Sequence, residues 1–451
     1  MSTQTHLGPI TTAEITAALS EANRAFIQRY PGESNRRQAV HTVYGGAHIF
    51  KTDSAQKLGA VALRSLEEYA PDPATLASAI GMGGGEQFAK DVYARIIGKL
   101  RREPVEDFRL DFEDGYGNRP DDEEDGHAAS AAREVAKALA AKSLPPFVGI
   151  RIKPFNEDLR ARSVRTLDIF VSTLLQETAG KLPDNFVITI PKVQLPAQVT
   201  AAVRLFEILE CKSGLPSGSL KIELMIETPQ SIINERGEVA LMGLVDAAQG
   251  RCGSIHFGVY DYTASCGITA KYQAMAHPAC DFARQMMLVS LAGTGIHLSD
   301  GATNILPVGP HRATSDRPLT KSQLDENREA VHQAWRLGFE DNLHSLRTGF
   351  YQGWDLHPAQ LVTRYAAVYS FFLEGLDAAS NRLKAFVEKA ALASLFGDVF
   401  DDAATGQGLL NFFLRGIACG AITEDEALAT GLTLDELRSR SFLKILQGRR
   451  K

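Results

Sequence analysis

Apolar positions along the chain follow two alternating rhythms. Short β-branched runs recur at 39–46 (AVHTVYGG), 106–114 (EDFRLDFED), 147–154 (FVGIRIKP), 185–193 (NFVITIPKV), 220–227 (LKIELMIE), 254–261 (SIHFGVYD), 293–300 (GTGIHLSD) and 349–358 (GFYQGWDLHP). Most intervals hold a longer stretch with apolar residues three and four apart, such as 127–142 and 196–212, the spacing of an amphipathic helix. Eight strand-then-helix units predict an α/β protein folded as a (β/α)8 TIM barrel. An open doubly wound sheet would need a G-x-G-x-x-G turn directly after a strand, and the sequence has none. GMGGGEQ (81–87) follows a helical pattern and reads as a flexible turn.

The pattern divides the chain into an N-terminal helical segment (1–38), a barrel (39–377) interrupted by a helical insertion at about 50–105, and a purely helical C-terminal subdomain (378–451). NRPDDEEDGH (118–127) reads as a solvated acidic turn. The aromatic residues of 365–375 stand at helical spacing and belong to a core or an interface.

Composition narrows the function. The chain has 451 residues, 44% hydrophobic and 23% charged, with a formal charge of −6. No basic footprint for nucleic acid or an anionic membrane exists, so a small molecule is the expected partner. The five cysteines are scattered without CxxC or zinc-ligand spacing, which suits a reducing compartment. The N-terminus lacks a basic-then-apolar signal, and no apolar run reaches the roughly 18 residues of a spanning helix. A cytoplasmic protein without membrane attachment is expected.

The chemistry lies at the strand ends. LKIELMIE closes a buried strand on a glutamate, which is costly unless a positive group meets it. A barrel of this kind keeps its active site at the C-terminal ends of its strands. The strand assignments place Asp111, Glu113, Asp114, Glu227, Asp261 and Asp300 there, against Arg151 and Lys192. That many carboxylates would raise one another's pKa values unless a cation neutralised them, and Mg2+ or Mn2+ is the natural candidate. Glu227 and Asp261, on adjacent strands, are the expected metal ligands; a helix cap and an Asx turn are their structural alternatives. Alternation turns Arg151 away from Ile150 and Ile152, toward either a substrate oxygen in a bidentate fork or a bridge to Asp111 or Glu113. Lys192 is either a Schiff-base nucleophile or, given Pro191 before it, an electrostatic residue behind the ligands.

RLDFEDGYG, GIRIKP, ITIPKV, ELMIETPQSI, HFGVYDYTASCGI, GIHLSDG and WDLHPAQL, taken in order, resemble the citrate lyase β-subunit-like and HpcH/HpaI-type aldolase superfamily, which includes malyl-CoA lyases and is related to malate synthases. The likeness spans roughly 106–365. It implies a metal-dependent enzyme that makes or breaks a carbon–carbon bond beside a carbonyl, acting on an oxo acid or an acyl-CoA, and a homo-oligomer. By position, Glu227 and Asp261 match the family's metal ligands and Arg151 its active-site arginine. Glu113-Asp114 matches its Glu-Asp pair, Lys192 its Pro-Lys motif and His357-Pro358 a His-Pro near the eighth strand. Strand one, the DFEDGYG string and the chain's length depart from the usual pattern.

The expected reaction is aldol or Claisen-type cleavage, or its reverse, of a hydroxy acid or its thioester. Arg151 would stabilise the enolate, and a metal-bound hydroxide or a side chain such as Asp300 or Asp355 would serve as general base. A metal-dependent hydrolase, a phosphoenolpyruvate-type transferase and a non-catalytic barrel subunit are the alternatives.

Overall fold

A computed structural model of the chain describes residues 9–32, 36–314, 316–388, 394–396, 399–401 and 403–449. Eight parallel strands form its centre: β1 (His41–Gly46), β2 (Asp107–Asp111), β3 (Phe147–Arg151), β4 (Phe186–Ile190), β5 (Lys221–Ile226), β6 (Cys252–Phe257), β7 (His297–Ser299) and β8 (Gly353–Asp355). They pair in the order β7-β6-β5-β4-β3-β2-β1-β8. One parallel bridge, Ser299 to Gln352, joins the two ends, so the sheet is a (β/α)8 barrel, as expected.

Alternation along each strand separates two environments. Residues such as Ile150, Ile152, Phe186, Ile188 and Ile190 are buried beneath the surrounding helices. Phe186, for instance, stacks on Phe170 of α6 (Arg160–Glu177), with centroids 6.2 Å apart. The alternate residues face the lumen, whose lower layer is polar and charged. Arg109 contacts Asp107 and donates to Glu223 at 3.1 and 3.3 Å. Thr189 and Ser254 donate to Glu223 at 2.7 and 2.8 Å, and Thr42 donates to Asp107 at 3.0 Å. A buried ion-pair layer of this kind is stabilising only when its geometry is good and its remaining hydrogen bonds are made.

Between β1 and β2 the chain inserts α2 (Ser54–Tyr69), α3 (Pro73–Ile80) and α4 (Gly85–Arg102). Asp72 caps α3 by accepting from Thr75 N, and left-handed Gly81 ends it. The Gly-rich stretch is therefore a helix-to-helix turn. α1 (Pro9–Arg29) lies largely exposed and is tied to the barrel at its end, where Arg29 donates to Asp246 at 3.0 Å and Gly32 N to Gly293 O at 2.8 Å.

Several local expectations change. The acidic stretch at 118–127 is largely the first turn of α5 (Asp121–Ala140), where negative charge suits the positive helix end. Glu124 of that turn is buried and accepts from Lys153 at 2.8 Å and Thr166 at 2.6 Å. The C-terminal part is not purely helical: two three-residue antiparallel strands, β9 (Ser394–Phe396) and β10 (Val399–Asp401), interrupt its helices. β6 stops at Phe257, and Asp261 falls in the first turn of a short helix, α10 (Val259–Ser265), instead of on the strand.

Candidate active site

Past β4, Pro191 ends the strand and Lys192 adopts a left-handed backbone with φ 51°, a conformation uncommon for a residue other than glycine. The turn points the Lys192 N–H at Glu227 Oε1, 2.6 Å away. It also turns the ammonium back over the mouth, against Glu113, 3.1 Å from Asp114 and 3.7 Å from Asp261. Residues from β2, β4, β5 and the β6–α10 junction thus meet around one ammonium.

Glu227 is 1% exposed. Burial and the Asp261 charge push its carboxyl up to about 8, although Lys192 pulls the other way. Gly258, which follows β6, leaves it room: a Cβ there would lie 2.5 Å from both Glu227 Cβ and Oε2. Lys192 stays protonated, because Glu227, Glu113 and Asp261 outweigh its burial and hold its pKa well above the ordinary range. A Schiff-base lysine needs the opposite shift, so the electrostatic alternative is the one this environment favours. Burial also acts to raise Asp114, but Lys192 and Arg151 hold it below the usual carboxylate range. Burial keeps Glu113 above it.

Arg151 spends its fork on a neighbour. Nε and Nη2 donate to the two oxygens of Asp111 at 2.7 and 2.6 Å. Nη1 sits 2.9 Å from Glu113 Oε2 as an ion pair without hydrogen-bond alignment, and 3.6 Å from Met225 Sδ. The guanidinium lies over Tyr44 (4.7 Å) and Trp354 (5.6 Å). The bridge to Asp111 and Glu113 is therefore formed, and a substrate would meet the Nη1 side of a positioned cation instead of an open fork.

Asp300 does not join this group. It points away from the lumen, accepting from Arg284 Nε at 2.8 Å, Ser345 at 2.6 Å and Gly301 N at 2.8 Å, and those contacts hold it ionised. Asp355 pairs with Arg364 at 3.1 Å. Neither is placed to take a substrate proton. His357 Nδ1 accepts from Ala359 N at 3.2 Å, a turn contact before α13 (Gln360–Glu374). Buried His41 accepts from Glu106 N at 3.1 Å.

Sequence reasoning overlooked three lumen side chains from β1, β6 and β8. Tyr44, His256 and Trp354 all face the lumen, with Tyr44 Oη 3.2 Å from His256 Nδ1 and the Tyr44 and Trp354 rings 4.5 Å apart. The alternation that singles out Arg151 also singles out these three; they pass unnoticed because aromatic residues and histidine on a strand read as core.

Glu227 and Asp261 supply the oxygen donors that a divalent cation prefers. Among the described residues no group of three or more His, Cys, Asp or Glu is placed to hold a metal, but Mg2+ often takes only one or two carboxylates and keeps its waters. Burial is the main cause of the raised Glu227 pKa and the Asp261 charge the second, so the two carboxylates act on each other at the mouth. A separate polar cavity of about 120 Å3 lies at the opposite end of the barrel, beside Asp107, Arg109 and Glu223.

Residues 19–445 match the family described as Domain of unknown function (DUF6986), and the chain belongs to it. Among curated proteins none matches the sequence. Among solved structures, a citrate lyase from Burkholderia xenovorans LB400 is similar, with TM-score 0.52 and 18% identity, over 78% of this chain and 94% of that one. The protein CitE from Mycobacterium tuberculosis, in complex with magnesium, acetoacetate and coenzyme A, has TM-score 0.48 and 15% identity, over 86% of this chain and 100% of that one. A Haloferax volcanii malate synthase has TM-score 0.42 and 14% identity, over 92% and 98%. The first of these shares the barrel fold with this chain. Among the described residues no helix is long and apolar enough to cross a membrane.

Proposed function

We propose that this protein is a divalent-metal-dependent carbon–carbon lyase that cleaves a hydroxy acid, or its acyl thioester, to an oxo acid, or runs the reverse condensation. One observation carries the reading: Glu227, Asp261, Glu113 and Asp114 converge with Lys192 at the C-terminal mouth of the barrel, beside Arg151. Glu227 and Asp261 would hold Mg2+ or Mn2+, which supplies Lewis acidity toward the adjacent oxygens of an oxo acid.

The protein's own groups do the rest. Asp114 is the ionised and most exposed carboxylate on Lys192, its side chain 61% accessible against 43% for Asp261 and 6% for Glu113. It takes the proton from the substrate hydroxyl. As that O–H bond breaks, the oxygen forms a carbonyl, the neighbouring carbon–carbon bond breaks, and its electron pair moves as an enolate onto the half that carries the activating carbonyl, which is the oxo-acid half of a 4-hydroxy-2-oxo acid or the thioester half of a malyl-type substrate. Lys192 and Arg151 are fixed before the reaction and face the developing negative charge. The Asp114 proton then returns to the enolate carbon, which completes pyruvate from a 4-hydroxy-2-oxo acid or the acyl thioester released beside the oxo acid.

The test is release of pyruvate or glyoxylate from a panel of 4-hydroxy-2-oxo acids and malyl- or citramalyl-type thioesters, with Mg2+, Mn2+ or chelator. Wild type should respond to metal and Glu227→Ala should not. Activity that survives both chelator and the substitution would refute the metal assignment.

A further inference from the structure

The GIRIKP segment that carries Arg151 also carries Lys153, two residues on, and the mechanism gives it no part. Lys153 is buried. Its ammonium donates to Phe112 O at 2.6 Å and to Glu124 Oε2 at 2.8 Å, reaches Gly117 O at 3.5 Å and lies 5.0 Å from the centre of the Tyr116 ring. Phe112 and Gly117 bracket Glu113 and Asp114 in the chain. One cation therefore grips both ends of the loop that presents those two carboxylates to Lys192.

The amide side of the same loop is held from β2. Asp111, fixed by Arg151, accepts from Glu113 N at 3.0 Å and Gly115 N at 2.7 Å. Glu113 O closes the turn by accepting from Tyr116 N at 3.1 Å and Gly117 N at 2.8 Å. The lysine is itself braced: Ser163 of α6 donates to Lys153 O at 2.7 Å, and Thr166 of α6 donates to Glu124 Oε1 at 2.6 Å. An ammonium has three protons to give and accepts none. Neutralising Glu124 needs one of them; the other contacts go to backbone on either side of the carboxylate pair, which an ion pair alone does not require.

We propose that Lys153 is a positioning residue that fixes the 112–117 loop, so that Glu113 and Asp114 stand ready against Lys192. The effect on rate rests on the lyase reading; the effect on loop order does not. The Asp114 side chain is 61% accessible, so packing does little to place it, and its direction is set by the backbone beneath it.

Lys153→Met alone leaves Glu124 buried with one cation fewer, a change that can unfold a protein. It is therefore combined with Glu124→Gln, whose side-chain carbonyl still accepts from Thr166, and compared with Glu124→Gln alone, in which Lys153 keeps its carbonyls. Hydrogen exchange at the amides of residues 113–117 should become at least tenfold faster, with exchange in β5 unchanged. Mn2+ affinity should stay within threefold, because Glu227 and Asp261 stand on other elements. kcat should fall about 100-fold, the effect of a displacement near 1 Å, with KM within threefold. Unchanged exchange at 113–117 overturns the positioning role whatever the rate. Faster exchange throughout the barrel with lost Mn2+ affinity also overturns it, since Lys153 would then support the fold at large. Faster loop exchange with kcat within threefold overturns the effect on rate. If wild type turns over no hydroxy acid or thioester, the lyase reading falls, and the exchange measurement decides loop order by itself.

Discussion

Gly258→Ala is a one-methyl test of the site. An added Cβ would lie 2.5 Å from Glu227 Cβ and Oε2, where ordinary contact begins at 3.4 Å, so the carboxylate must shift by about 0.9 Å. Glu227 has little freedom to do so while Lys192 N holds its Oε1 at 2.6 Å. A displacement near 1 Å in a positioning group costs about 100-fold in rate, or about 2.7 kcal/mol on the barrier. Overpacking should cost about 1–3 kcal/mol in stability, which leaves a folded protein to assay. Gly253→Ala, on β6 five residues earlier, is the control, since nothing lies within 4 Å of its Cβ. The assays are metal-dependent oxo-acid release and Mn2+ affinity by calorimetry. Gly258→Ala should lose both while Gly253→Ala stays within twofold of wild type. Wild-type behaviour of Gly258→Ala in both assays would refute the placement of Glu227 at the metal.

Lys192→Met should lower kcat by about 10²–10³-fold, as expected for removal of a preorganised charge, and borohydride with pyruvate should leave the wild-type mass unchanged; a trapped adduct would restore the Schiff-base mechanism. Glu223→Ala leaves Arg109 buried with half its partners and should cost about 3–5 kcal/mol in urea unfolding; a loss below 1 kcal/mol would show that water replaces the carboxylate. His41, pushed by burial down to about 3 from 6.5, stays neutral in the fold while the unfolded chain protonates, so its stabilising contribution is complete above pH 6.5 and is lost as pH falls toward 3. Glu227, raised to about 8, acts in the opposite sense above its ordinary value of 4.5, so the clean measurement is a difference. His41→Gln should flatten the stability profile between pH 6 and 4 by about 1.4 kcal/mol per pH unit relative to wild type, and parallel profiles would contradict the assignment.

The barrel was legible because its strands carry a period of two and its helices a period of 3.6, and neither depends on distant contacts. The same period put Arg151 on the lumen side. It failed at β7 because the strand was read as reaching residue 300, whereas it ends at Ser299, which faces inward while Asp300 turns out to Arg284. Lys192 was legible as a charge, but its role depends on a left-handed backbone that no local pattern announces. The commitment of Arg151 to Asp111 joins β3 to β2, and its side chain alone does not reveal which of several carboxylates it meets. Tyr44, His256 and Trp354 lie far apart in sequence, and only the closed ring of strands makes them neighbours.

The charged lower lumen bears on how the chain folds. Gln352 donates to Thr42 across 310 residues of sequence, and closing a loop of that length costs about 5 kcal/mol in chain entropy. The ring must therefore stay open until the eighth strand has been synthesised. During that wait the concave face of the growing sheet is wet. With Asp107, Arg109, Glu223, Thr189 and Ser254 on it, that face tolerates water and offers little to a neighbouring nascent chain, whereas an aliphatic lumen would be adhesive for as long as the ring stood open. The ion pairs that add little to the finished barrel would protect the unfinished one from aggregation.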